Sequence, residues 1–188
     1  MRIAAIAVLL GAAALCPSHA FAMTDALGSW GQAAAQQLRK TYDEGSPEWL
    51  IPGYSWHDPH TYTATKRAQL NDWAIGLGWG HTRVDSHGNI EQVYGLMFSD
   101  SHHDAEPVVG YAKQWIWRPF TPNLRLGMGY TVAVTSRADI AKNIPFPIAL
   151  PLLSIGYRRF TLSGVLIPRF NGSPNNGNVV FLFGGLKY

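Results

Sequence analysis

The sequence predicts an all-β fold: an eight-stranded antiparallel transmembrane β-barrel with an N-terminal amphipathic helix. Three observations carry this. First, residues 71–80, NDWAIGLGWG, alternate between two kinds of side chain. Trp73, Ile75, Leu77 and Trp79 share one face, and Ala74, Gly76, Gly78 and Gly80 share the other. A period of two is strand geometry. The bulky face is too apolar for water, and the small face is too empty to fill an ordinary core. The pair reads as a lipid-facing belt around a hollow. A glycine-rich edge strand in a soluble sandwich has the same local pattern. Second, about eight strand candidates follow at short intervals between residues 48 and 188, the smallest common size of a membrane barrel. Third, the chain opens like an exported protein yet has no later run of the ~20 apolar residues that a membrane-spanning helix needs. A closed barrel is the remaining way across.

Arg2, the apolar run 3–15 and His19-Ala20-Phe21-Ala22 read as a secretory signal over residues 1–22, cleaved after Ala22. Cys16 is the single cysteine and would leave with it. The remaining chain would hold no disulfide, thiolate nucleophile or cysteine metal ligand. Leu15 is too bulky for the position before a lipidated cysteine, which argues against a lipoprotein.

Residues 23–188 then form the barrel unit, with a helix at 25–43 and the barrel at 48–188. In the helix, Leu27, Trp30, Ala34, Leu38 and Tyr42 fall on one face at spacings of three and four. Gln32, Gln36, Arg39, Lys40 and Asp43 fall on the other, and Thr24 or Asp25 caps the start. Such a helix suits the interface at one end of a barrel, or the surface of a soluble sheet. Gly45, Ser46 and Pro47 end it.

Strands are predicted at 49–56, 71–84, 90–100, 108–118, 124–137, 146–157, 160–167 and 179–188. A polar loop covers 57–69, a shorter one covers 101–105, and DSHGN at 85–89 and NNGN at 175–178 are turns. The third strand puts Tyr94, Leu96 and Phe98 on one face. The fourth sets Tyr111, Trp115 and Trp117 against Gly110, Ala112 and Gln114. The fifth repeats the opening design, with Leu124, Leu126, Met128, Tyr130, Val132 and Val134 opposite Arg125, Gly127, Gly129, Thr131, Ala133 and Thr135. Tyr188, with Leu186 and Leu182 at alternate positions, resembles the C-terminal signal of outer-membrane barrels. Pro147, Pro151 and Pro168 cluster in or beside the sixth and seventh strands. Proline cannot donate to a ladder. One proline is ordinary strand termination, but the cluster predicts a lateral opening for lipid.

Charged residues make up 14% of the chain and aromatics 12%, a balance that suits a lipid-facing belt. The net charge of +3, with no basic run, gives no case for nucleic acid. There is no G-x-S-x-G elbow, Walker loop or H-E-x-x-H. His57 and the pair Asp100-Ser101 lie at loops that an up-and-down barrel brings to the same end. Histidine can act as a base, serine as a nucleophile, and aspartate can orient the imidazole. Loop residues of these types are also commonly just solvated. His60, His81, His87, His102 and His103 read as surface histidines, so no metal and no cofactor is expected.

The chain resembles the PagP-type lipid A palmitoyltransferases, a family of lipid A acyltransferases. The resemblance rests on IPGYSWH at 51–57, YGLMFSDS at 94–101, EPVVGY at 106–111, WRP at 117–119, IPFPIALPL at 144–152 and NNGNV at 175–179. It implies an outer-membrane barrel with its helix at the periplasmic end. It implies transfer of an acyl chain from a glycerophospholipid donor to a lipid A acceptor, without a cofactor. The family's active-site residues match His57, Asp100 and Ser101. The acyl chain is expected to lie among Gly76, Gly78, Met97, Gly110, Ala112, Gly127 and Gly129, with Ala112 at the floor. Glycine there permits palmitoyl, so alanine implies palmitoyl or a slightly shorter chain. Pro52, Pro151 and Pro168 are the expected lateral gates. Ala74 stands where a second proline beside the Pro52 gate is expected. A monomer or weak homo-oligomer is expected. The competing reading is a non-enzymatic small barrel, structural or carrying a hydrophobe; acyl transfer to lipid A separates the two.

Overall fold

The computed structural model describes residues 17–140, 143–169 and 177–188. Most of the expected signal, residues 1–16, and residues 175–176 of the NNGN turn lie outside the described residues. The elements are α1 Pro17–Glu44, β1 Ser46–His57, α2 Ala64–Arg67, β2 Gly76–Val84, β3 Ile90–Ser99, β4 Ala105–Trp117, β5 Leu124–Thr135, β6 Phe146–Tyr157, β7 Phe160–Ile167 and β8 Val179–Lys187. Each strand pairs antiparallel with the next, and β1 pairs with β8 to close an eight-stranded barrel. Among the described residues no helix is long and apolar enough to cross a membrane. The outer surface carries the apolar belt, with Trp49, Ile51, Leu77, Trp115, Met128, Leu153 and Leu162 all exposed.

Among the described residues the helix already covers Pro17–Glu44, so it extends N-terminal of residue 25. Ala20, Ala22 and Met23 are strong helix formers, which favours this extension. Trp30, Leu38 and Tyr42 of the predicted apolar face stay exposed. The helix is fastened to the barrel by polar side chains instead. Gln37 and Thr41 donate to Glu91, Tyr42 stacks on His81 with ring centroids 4.3 Å apart, and Arg83 pairs with Glu44 at 3.4 Å. Glu91 also pairs with Arg83 and Lys113. The helix thus covers a charged patch on the barrel's outer wall and leaves its apolar stripe for the membrane interface.

The strand at 71–84 is shorter than predicted. Residues 71–75 form an irregular strap, and β2 starts at Gly76. The strap touches β1 through the isolated bridge Tyr54↔Trp73. On β3, the bulky face turns inward: Leu96 and Phe98 are buried, while Met97 is 53% exposed. The register explains this. Gly78 pairs with Leu96 and Gly76 with Phe98, so the glycines of β2 make room for the large side chains of β3. A Cβ at Gly78 would collide with Leu96, and one at Gly76 with Phe98.

The barrel interior has two halves. At the end with the short turns 85–89, 118–123 and 158–159 it is polar: Glu48 accepts from Thr82 and Gln92, and the space left is about 10 Å³. At the end with the longer loops a cavity of about 700 Å³ opens, within the usual range for small-molecule sites. The wall is incomplete at two places. The β6–β7 ladder runs only from Leu152↔Val165 to Tyr157↔Phe160, so the upper half of β6, with Pro147 and Pro151, has no β7 partner. The β1–β2 ladder stops at Leu50↔Gly78, just short of Pro52. There the strap restores some closure: Ser55 N–H donates to Asp72 O at 2.7 Å and Ala74 N–H to Gly53 O at 3.1 Å.

Candidate active site

Alternation along β1 would turn His57 outward. Glu48, Leu50 and Pro52 point in, and the same period would continue with Tyr54 and Trp56. A bulge between Pro52 and Tyr54 shifts the register by one, so Ser55 and His57 point inward and Trp56 outward. His57 is thereby buried at the cavity mouth, where Tyr62 meets its ring edge-on at 5.3 Å.

Ser101 follows β3 in the next loop, and its Oγ lies 3.1 Å from His57 Nε2. The other ring nitrogen, Nδ1, lies 2.7 Å from Asp72 Oδ1. Asp100, expected beside the histidine, is buried and occupied elsewhere. Its Oδ1 accepts the N–H groups of His102 at 2.8 Å and Asp104 at 2.9 Å, building the 100–104 turn. Its Oδ2 faces Arg137 at 3.5 Å. The structure brings His57 and Ser101 together and sets the Asp100 carboxylate to shaping the loop. Sequence reasoning missed Asp72 because it sits in the stretch read as strand. Its one signal was a carboxylate beside Trp73, where the polar loop ends.

Arg137 is the hub of the rim. Besides Asp100 it pairs with Asp139 at 2.9 Å and Glu106 at 3.6 Å. Asp100, His102 and Asp139 could each offer a metal ligand. The guanidinium already supplies the cationic charge among them. Burial alone would raise the Asp139 carboxyl, but hydrogen bonding and charge from Arg137 outweigh it and hold the group below its ordinary value. Asp58 is also held low, chiefly because His60 N–H donates to it, and Asn178 Nδ2 donates to it from the start of β8 at 3.2 Å. Both groups have folded values below the unfolded ones. Their stabilisation is therefore present above an unfolded value of about 4 and lost as pH falls through the folded values. The rim loops are expected to loosen below pH ~4 while the ladders persist. Amide NMR in detergent micelles tests this: the His60 and Asn178 resonances shift and broaden, and invariant resonances down to pH ~2 would contradict it.

Below a polar rim that includes Glu106, Thr135 and Arg137, the cavity walls are largely apolar: Leu96, Phe98, Val108, Leu150, Val165 and Phe181 border it. Its floor is the Tyr94 hydroxyl, bonded to Thr131 at 2.6 Å; Thr131 in turn donates to Tyr111 O at 3.2 Å. Gly76, Gly78, Gly110, Ala112, Gly127 and Gly129 do not border the cavity. Gly76, Gly78 and Gly110 serve it indirectly, by admitting Phe98, Leu96 and Tyr94, which do border it. A Cβ at Gly110 would lie 2.8 Å from the Tyr94 hydroxyl and 2.7 Å from Ala133 Cβ, so the tyrosine lies across the glycine. Met97, expected in the hollow, faces outward because β3 turns its large even-numbered residues in. Residues 146–150 of the unpaired half of β6 border the cavity, which therefore reaches the β6–β7 gap. Pro151 lies at that gap on the strand and Pro168 directly after β7.

Residues 37–185 match the family described as antimicrobial peptide resistance and lipid A acylation protein PagP. The chain belongs to the PagP family. A PagP relative from Bordetella pertussis (strain Tohama I), named lipid A acyltransferase PagP, is 43% identical over 175 residues, covering 93% of this chain and 94% of the relative. Relatives of the same name come from Laribacter hongkongensis, 43% identical over 161 residues, and Legionella pneumophila, 38% identical over 152 residues. They cover 86% and 81% of this chain, and 74% and 79% of their own lengths. The PagP match spans the site from β1 through β8, so His57, Asp72 and Ser101 all lie within it.

Proposed function

We propose that this PagP-family chain is an outer-membrane lipid A acyltransferase, exported with cleavage after Ala22, whose donor is a glycerophospholipid. The observation that carries the reading is the His57–Ser101 pair at the mouth of an apolar cavity of about 700 Å³. Reactive groups at the mouth of a largely apolar slot suit an ester whose hydrocarbon tail fills the slot. The names of the PagP relatives support lipid A as acceptor. The enzymatic reading replaces the carrier alternative, because a carrier has no use for a base-paired serine.

In this reading a phospholipid enters through the β6–β7 gap and its acyl tail descends toward Tyr94. His57 Nε2 takes the Ser101 proton as Oγ attacks the ester carbonyl. The tetrahedral intermediate collapses, the C–O bond to the glycerol breaks, and His57 protonates the departing lysophospholipid oxygen. A lipid A hydroxyl then gives its proton to His57 and attacks the acyl-Ser101 carbonyl. The acyl group passes to lipid A, and the proton returns to Ser101. Apolar walls exclude water and so limit hydrolysis of the acyl-enzyme.

The test is reconstitution of the full barrel with a phospholipid carrying an isotopic label in its sn-1 chain, together with purified lipid A. Label on lipid A, with one lysophospholipid per transfer, is the expected result. Label that stays on phospholipid in the presence of folded barrel refutes the reading.

A further inference from the structure

We propose that Asp72, and not Asp100, is the positioning carboxylate of the site, holding His57 in the tautomer that can accept a proton from Ser101. The bond itself is short: Asp72 Oδ1 to His57 Nδ1 is 2.7 Å. A carboxylate can only accept, so Nδ1 must carry the proton and Nε2 is left with its lone pair toward Ser101 Oγ at 3.1 Å. When Ser101 gives up its proton, the resulting imidazolium lies against a negative charge. Asp72 stabilises that cation without taking the proton itself.

Burial divides the labour between the two groups. The His57 side chain is 2% exposed and the Asp72 side chain 41% exposed. The histidine is held rigidly in the interior. The carboxylate stays partly in water, where its charge carries little desolvation cost. Its position is set by the strap. Ser55 N–H donates to Asp72 O at 2.7 Å, and Asn71 N–H donates to Ser101 O at 2.9 Å. The Asn71 side chain reaches Asp100 O at 3.2 Å. One short segment therefore ties the strand that carries His57 to the loop that carries Ser101, with Asp72 between them. Ala74 belongs to this device: its N–H donates to Gly53 O, a bond proline cannot make. Asp100 is not available for the task, since both its oxygens face the 100–104 turn and Arg137.

Asp72→Asn is the sharpest variant. Tyr54 O–H donates to Asp72 Oδ2 at 3.3 Å, which keeps the asparagine carbonyl on the Tyr54 side. The amide NH2 then faces Nδ1, and the ring proton must move to Nε2, where it blocks Ser101. The proposal rests on the acyl-transfer reading for its kinetic arm only. In that arm, Asp72→Asn lowers kcat on the order of 10²- to 10⁴-fold with KM for phospholipid unchanged. Asp72→Glu recovers part of the loss. The second arm is nitrogen NMR of the imidazole in the full barrel in micelles, which needs no turnover. Wild type and Asp100→Asn show neutral His57 protonated on Nδ1, and Asp72→Asn shows it protonated on Nε2. A wild-type barrel that transfers nothing yet shows this tautomer switch refutes the acyl-transfer reading alone. An unchanged tautomer in Asp72→Asn overturns the positioning role, whatever happens to kcat. So does a switch in Asp100→Asn without one in Asp72→Asn.

Discussion

Ser101→Ala and His57→Ala are each expected to abolish acyl transfer to lipid A while the barrel stays folded. The effect follows from how the two side chains share one proton. Ser101 Oγ and His57 Nε2 are 3.1 Å apart, and neither does the chemistry alone. Groups that act as a unit lose nearly the whole effect when one is removed, so each variant should fall by at least ~1,000-fold, and the double variant little further. Stability should change far less. Ser101 is partly exposed in a loop, and His57 lies at the last rung of the β1–β8 ladder, opposite Val179, where its backbone pairing does not depend on its side chain. Heat-modifiable gel mobility reads the fold, and transfer of labelled acyl chain reads the chemistry. Normal transfer by a folded Ser101→Ala barrel would remove the acyl-serine step. Normal transfer by His57→Ala would remove the base.

The second large effect is on acyl-chain length. Ala112 is buried, and its cross-strand partners are Gln92 and Thr131. It therefore lies one step below Gly110, the residue across which Tyr94 lies on its way to Thr131. Ala112 is not the floor itself but the ledge under it. Ala112→Met has no free space beneath and must push the Tyr94 ring upward into the cavity. Overpacking of this kind costs about 1–3 kcal/mol, and a raised floor excludes the last carbons of the donor chain. The preferred chain is expected to shorten by several carbons, on the order of one C–C step for each ångström the ring rises. Ala112→Gly lets the ring settle and lengthens the preferred chain. Each methylene should change relative transfer by roughly 10- to 200-fold at most. Competition among phospholipids with defined sn-1 chains, with products separated by mass, measures this. Unchanged selectivity in both variants would move the measuring surface away from Tyr94.

The parts legible in the sequence were those written as alternation. The stretches 71–80 and 124–137 declare a lipid face and a small face, and the count of about eight strands is that of the smallest common membrane barrel. The helix at the barrel's end was legible from its spacing, although its docking by Gln37 and Thr41 onto Glu91 was not, because those contacts join residues 54 and 50 positions apart. Three features of the site depend on register, which a single sequence does not display. The bulge after Pro52 turns His57 inward. Pairing Gly78 with Leu96 and Gly76 with Phe98 sends Met97 out and makes the glycines supports of the cavity, not its lining. The strap 71–75 resembles the start of a strand by composition, yet it leaves the ladder and delivers Asp72 to His57. His57 and Ser101 could be named from sequence because loop positions at one end are fixed by strand count. The carboxylate that meets the imidazole could not, because Asp100 is adjacent in sequence and Asp72 is adjacent in space.

The most direct measurement is mass spectrometry of lipid A from Gram-negative cells that lack an acyltransferase of this kind, with and without the full-length chain. A lipid A species heavier by one acyl group, present with the wild-type chain and absent with Ser101→Ala, is the predicted result. Identical lipid A in all three strains, with the folded barrel present in their outer membranes, would contradict it.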